Sequence, residues 1–235
     1  MALPLYLAMT ASEMSCAGHL PRHLAWMACH FSAGTLGLSN IPQALPEGAI
    51  LILDDRYPCQ GHSADLAAGQ LADAAMQLGC SRVLLDFQRP PEPESLAMSR
   101  SLLEALPCPV AATPDYAREF DCGVFLPPCP LSSPLEEHLA PWADREIWLE
   151  AVLCQEDISV TAGGAAFSCC FPPDGLDGGF FDPELCCNYK TESFPDQVRF
   201  TLFDTPETLK EKMKKAQALG VSGAIGLYQQ LQGLS

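Results

Sequence analysis

The sequence predicts an α/β protein, a (β/α)8 barrel of the TIM type with a long excursion over residues 163–196, in a single barrel domain spanning 1–235. Three observations predict it. Short branched-apolar runs recur and stop abruptly at acids, as in Ala49–Leu53 before Asp54 and Asp55, and Val83–Leu85 before Asp86. Inner strands of a parallel barrel read this way, dry along their length and polar where they open onto a face. Segments of helical spacing alternate with these runs, giving about seven or eight strands in all. Finally, no glycine-rich fingerprint follows the first strand and no GxxxxGK loop occurs, which weakens an open nucleotide-binding sheet.

Leu3–Met9 is the first strand, and Leu24–Phe31 is a second apolar run that is either a strand or a short helix. Ala49–Leu53 follows. Residues 64–79 form a helix, because Leu66, Gln70, Ala74 and Leu78 recur every four residues and Gly79 ends the run. A strand over 82–87 leads through a proline-rich turn into a helix over 93–106. Val110–Ala112 is a short strand entering Thr113-Pro114, and Cys122–Leu126 is another, closed by Pro127-Pro128. Residues 131–143 are a loop or short helix.

Glu146–Leu153 reads as a strand with Glu150 inside it, and Ile158–Ala162 either pairs beside it or forms the next barrel strand. Residues 163–196 are rich in Gly, Pro, Asp and aromatics and read as having little regular structure, a length that counts against a compact element plan unless the segment covers a site. Val198–Phe203 is a strand. Thr205 then caps a helix with Pro206 at its first position and Glu207 in its first turn. That helix runs to Leu219, stops at Gly220, and delivers the strand Val221–Leu227, so the unit reads as βαβ.

Composition excludes several function classes. A formal net charge of −16, with only 13 Lys and Arg, argues against a nucleic-acid partner. Lys210, Lys212, Lys214 and Lys215 lie together beside Glu207 and Glu211 and read as a solvated helix face. The N-terminal apolar run has no basic residue ahead of it and is too short to span a membrane, so the expected location is the cytoplasm, with no membrane partner. Twelve cysteines are many, but several sit in apolar strands as small hydrophobes, and no disulfide framework is expected.

Adjacent cysteines such as Cys169-Cys170 and Cys186-Cys187 point in divergent directions, unlike spaced zinc pairs. His19, His23 and His30 lack an HExxH arrangement. Cys59 and His62, three apart in a turn, are the best thiol–imidazole pair in the chain. Neither metal nor cofactor is expected.

The segment from Phe203 to Leu231 resembles the closing strand–helix–strand of the family-18 glycoside hydrolases, the chitinase-like barrels. Asp204, Thr208, Lys212, Gly220 and Gly223 fit its pattern. The family's signature strand, D-G-x-D-x-D-x-E, laid over Ser81–Gln88, keeps Asp86 at its last aspartate. Ser81 and Leu84 stand at the earlier acids, and Gln88 stands where the family places its proton-donating glutamate. Leu227-Tyr228 occupies the region where the family usually has a tryptophan under the sugar.

The resemblance implies a reaction in which the substrate's own acetamido group attacks, Asp86 orients it, and an acid protonates the leaving oxygen. Gln88 has no proton to give, so the acid would come from elsewhere, with Glu150 or Asp55 the choices. On the barrel plan Asp54, Asp55, Asp86, Asp115, Glu150 and Asp204 sit at strand ends that converge on one face. Tyr57, Tyr116 and Tyr228 join Asp54, Asp115 and Asp204 as expected ligand contacts.

The plainer roles are a loop cap or an ion pair, Asp86 with Arg56 or Arg89 and Glu150 with Arg145. Three functions follow: a glycan hydrolase with a rearranged acid, a non-catalytic carbohydrate binder using the same cleft, or a small-molecule metabolic barrel enzyme of unrelated chemistry. The expected partner is a glycan or another small ligand.

Overall fold

The computed structural model describes residues 2–32, 35–38, 44–171, 173, 176 and 178–234. The chain begins with β1 (Leu5–Met9), α1 (Ala11–Cys16), β2 (Leu24–Ser32) and β3 (Thr35–Leu38). It continues through β4 (Ile50–Asp54), α2 (Ala64–Gln77), β5 (Arg82–Asp86), α3 (Pro93–Ala105) and β6 (Val110–Ala112). Then come α4 (Pro114–Ala117), β7 (Gly123–Leu126), α5 (Leu135–Leu139) and β8 (Ile147–Glu150). A second sheet follows, made of β9 (Gln155–Thr161), β10 (Gly164–Cys170), β11 (Phe180–Asp182), β12 (Cys187–Ser193) and β13 (Gln197–Phe203). The chain closes with α6 (Pro206–Ala218), β14 (Gly223–Leu227) and α7 (Tyr228–Leu231).

Eight of these strands run parallel in the order β1-β2-β4-β5-β6-β7-β8-β14, and β14 pairs with β1 to close the barrel. Leu24–Ser32 is therefore a strand throughout, and β3 is an antiparallel addition on its flank. Alternation sorts the side chains. Leu51, Leu53, Val83 and Leu85 pack outward with Ala67, Leu71 and Leu102 of α2 and α3. Ile52, Leu84, Phe125, Trp148 and Ile225 fill the interior, where Ala8, Ala25 and Ala111 make room for the large rings. Gly223 has the same purpose, since a Cβ there would run into the Trp148 indole. The base is closed by Arg82, which lies 4.8 Å from the Trp148 ring and pairs with Glu146 at 2.6 Å.

The excursion departs from expectation. The strands β9 to β13 form a five-stranded antiparallel sheet in the order β10-β9-β13-β12-β11. Ile158 and Val198–Phe203 belong to it, with Phe200 opposite Ile158. The unit β13–α6–β14 is consequently not βαβ, and the strand before β14 in the barrel wall is β8. The tight Thr161–Gly164 hairpin explains why the stretch reads as loop: Gly164 sits at φ +136, and the Gly163 N–H donates to Thr161 Oγ1 at 3.2 Å. The sheet docks on the barrel through Leu202 and Cys187 against Leu131, Val152 and Cys154. No helix among the described residues is long and apolar enough to cross a membrane.

Candidate active site at the barrel mouth

The alternation that sends Leu84 and Trp148 into the interior sends Asp86 and Glu150, two residues further on, to the same side at the mouth. Asp86, Gln88 and Glu150 line one cavity of about 110 Å³, walled by Met27, Phe125 and Leu227. Among the described residues neither carboxyl faces a cation. The Gln88 side-chain amide donates to Asp86 Oδ1.

Burial pushes the Asp86 carboxyl up, the Gln88 amide pulls it back, and the charges of Asp54 and Asp55 add to the rise. Burial pushes Glu150 further, up to about 7, with Asp86 as a second cause. At neutral pH Glu150 is thus divided between acid and carboxylate, while the amide beside it has no titratable proton.

The arginines expected to neutralise these groups go elsewhere. Arg56 holds Asp54, the register neighbour of Asp86, with Nε to Oδ1 at 2.9 Å and Nη2 to Oδ2 at 2.8 Å. Arg145 donates to the carbonyls of Phe120 and Cys122, at 2.6 and 3.3 Å, and makes no pair with Glu150.

Asp55 turns away from the cavity and fastens the neighbouring loop. Its carboxylate accepts from the backbone N–H groups of Gln88 and Arg89, both at 2.9 Å, while Arg89 Nε donates to the Asp55 carbonyl at 3.0 Å. It sets where Gln88 stands. Its carboxylate is engaged by the loop backbone and does not line the cavity of Asp86 and Glu150.

The remaining residues singled out in the sequence are scattered. Tyr57 is exposed on the rim, 5.9 Å from the His30 ring. Asp115 is exposed and paired with Arg118 at 2.8 Å. Tyr116 is buried against Phe87 and donates to Ser95 Oγ at 2.9 Å. Asp204 lies sealed between β13 and α6, where Lys212 Nζ and Thr208 Oγ1 donate to it at 3.0 and 3.1 Å. Tyr228 packs beside Met9 and Leu24.

Met27 and Phe125 were not singled out, though the same two-residue alternation places them at the mouth. Among the described residues no three His, Cys, Asp or Glu side chains gather as a metal ion would require. The Cys59 thiol is pushed up by burial, the opposite of an activated nucleophile.

The geometry can be set beside known proteins. An N-acetylglucosaminidase of glycoside hydrolase family 18 from Paenibacillus barengoltzii superposes with a TM-score of 0.61 over 95% of this chain and 94% of its own, at 11% identity. A family-18 chitinase mutant from Cycas revoluta, in complex with (GlcNAc)4, gives 0.55 over 96% and 94%, at 12% identity. The spore cortex-lytic enzyme SleL from Bacillus cereus gives 0.54 over 95% and 70%, at 12% identity. This chain has the family-18 glycoside hydrolase fold. No protein-family model and no curated protein matches its sequence. The likeness is one of backbone, and it covers the second sheet as well as the barrel.

Proposed function

We propose that this protein is a glycoside-hydrolase-like barrel that binds an N-acetylhexosamine-containing glycan at its mouth, with Glu150 as the proton donor in place of the residue at 88. One observation carries the reading: Asp86, Gln88 and Glu150 share a cavity, and Glu150 is held near pKa 7 by burial and by Asp86. Glycosidic cleavage needs one carboxyl that is protonated and a second group that orients or stabilises, and a pair of carboxyls in different surroundings supplies both. A recess of about 110 Å³ takes an acetamido group rather than a whole chain, leaving the glycan along the rim. The complex of a chitinase of the same fold with (GlcNAc)4 supports the ligand class.

The cavity lining carries two carboxyls and no Lys or Arg, which disfavours a phosphorylated metabolite. A second reading, a binder without turnover, is favoured by one contact. The Gln88 amide is engaged with Asp86, a bond that holds the pair still and moves no proton.

Titration calorimetry with chitotetraose, together with hydrolysis of p-nitrophenyl N-acetyl-β-glucosaminide between pH 5 and 8, tests both readings. Binding with turnover that fades above pH 7 is expected. Binding without turnover at any pH selects the binder, and no binding of the tetrasaccharide removes the glycan reading altogether.

A further inference from the structure

The lysine cluster of α6 divides once folded. Lys212 turns inward to Asp204 at 3.0 Å, and Lys215 reaches Glu136 at 2.9 Å and the Glu184 carbonyl at 2.7 Å. Lys210 and Lys214 do neither. With Met213 they occupy positions i, i+3 and i+4 of one helical stripe, whose Met213 edge adjoins Leu209 and Ala216 on the face that packs against the barrel.

That stripe forms one wall of a recess of about 700 Å³. Leu3 and Leu5 supply another wall, Leu234 closes one side, and Arg22 and His23 stand where the chain enters β2. The recess therefore opens at the base of the barrel, at the opposite strand ends from Asp86 and Glu150.

Two properties set it apart. Among the described residues its lining holds Arg22, Lys210 and Lys214 and no Asp or Glu, on a chain whose formal charge is −16. Among the described residues only Lys214 of these three has a carboxylate partner, Glu211 at 2.6 Å. Its apolar wall is also recessed: Leu3 and Leu5 are 7% and 8% exposed. That leaves little apolar surface for a protein partner, which needs about 800 Å² per side. The volume falls instead within the roughly 300–1,000 Å³ of small-ligand sites.

We propose that this recess is a second ligand site, for a small amphipathic anion whose carboxylate or phosphate head is held by Arg22 and Lys210 and whose apolar body lies along Leu5 and Met213. Arg22 and Lys210 are exposed and have no carboxylate within pairing distance among the described residues, so an incoming anion displaces no existing ion pair.

Calorimetric titration of the whole protein with decanoate, decyl phosphate and decanol tests this. Saturable one-to-one binding of the two anions is expected, with the tighter of them naming the head group. Binding should be roughly tenfold weaker in the Arg22→Glu/Lys210→Glu double variant. Glu150→Gln should leave it unchanged, which separates this site from the mouth. Lys210→Gln, a milder change at an exposed helix position, serves if the double variant fails to fold. Absence of saturable binding overturns the proposal. Decanol binding as tightly as decanoate, or indifference to the charge changes, overturns it equally.

Discussion

Asp204 is a buried carboxyl and Glu150 a half-buried one, and the protein treats them in opposite ways. The Asp204 side chain is fully enclosed and receives Lys212, the Thr208 hydroxyl and the Cys154 N–H, at 3.0, 3.1 and 3.3 Å. Burial still pushes its pKa up, and each of those donors pulls it back. Glu150 is less enclosed, yet no cation or hydrogen-bond donor faces it among the described residues, and its one charged neighbour is another acid. A carboxylate surrounded by donors fastens two elements together. One left unsatisfied in a cavity costs stability and gains a proton near neutral pH, the condition a general acid needs. Perturbation alone does not distinguish them; the partners do.

The largest expected effect breaks the satisfied member. Lys212→Met leaves Asp204 buried and unpaired and should cost about 3–5 kcal/mol in urea unfolding. A Lys212→Met/Asp204→Asn double variant should recover much of that loss. If the single variant unfolds like the parent, Asp204 is not the junction between the second sheet and α6. On the other side, Glu150→Gln should lower turnover of the chromogenic glycoside by about 10²–10⁴-fold while leaving chitotetraose affinity nearly intact. An unchanged rate would move the acid elsewhere.

The same contrast shows what the sequence makes legible. The interior of the barrel can be read residue by residue, because strands such as Ile50–Asp54 and Arg82–Asp86 are dry for their whole length and then stop at an acid. Register then follows from alternation, and with it the meeting of Asp86 and Glu150. The second sheet is not legible in this way. Its strands pair antiparallel, the central β9–β13 pair between segments distant in sequence, β10 is exposed along nearly all of its length, and β13 resembles a barrel strand because Leu202 and Phe203 are buried. Asp204 is hard to place for that reason: an acid after an apolar strand suggests a mouth, but this strand belongs to the other sheet. Asp55 is hard to read for another reason: successive residues of an extended chain face opposite ways, and it is Asp54, the last residue of β4, that stands in register with Asp86.

A third prediction uses pH. Glu150 goes from the ordinary glutamate value of 4.5 in the unfolded chain to about 7 when folded, so between those values the native state holds the extra proton. Stability is therefore full below pH 4.5 and declines as pH rises through 7, by at most about 3 kcal/mol. The rise of Asp86 has the same sign. Urea unfolding at pH 5 and pH 8 should show the parent losing stability relative to Glu150→Gln; parallel losses in the two proteins would mean that Glu150 is solvated.

The smallest effect is expected from moving the acid back across the barrel. Gln88→Glu in the Glu150→Gln background restores a titratable proton beside Asp86 and removes the amide that now pulls the Asp86 pKa down. Two carboxyls at this spacing cannot both ionise freely, so one is held protonated towards neutral pH. The Asp55 latch on the Gln88 and Arg89 backbone is untouched, which keeps the new carboxyl where the amide stood. Turnover in the double variant should return to within about tenfold of the parent, with its alkaline limb shifted below that set by Glu150. Recovery would show that either strand end can deliver the proton to a sugar held in one place. Continued inactivity, with tetrasaccharide binding preserved, would mean that the glycan lies against β8, out of reach of position 88.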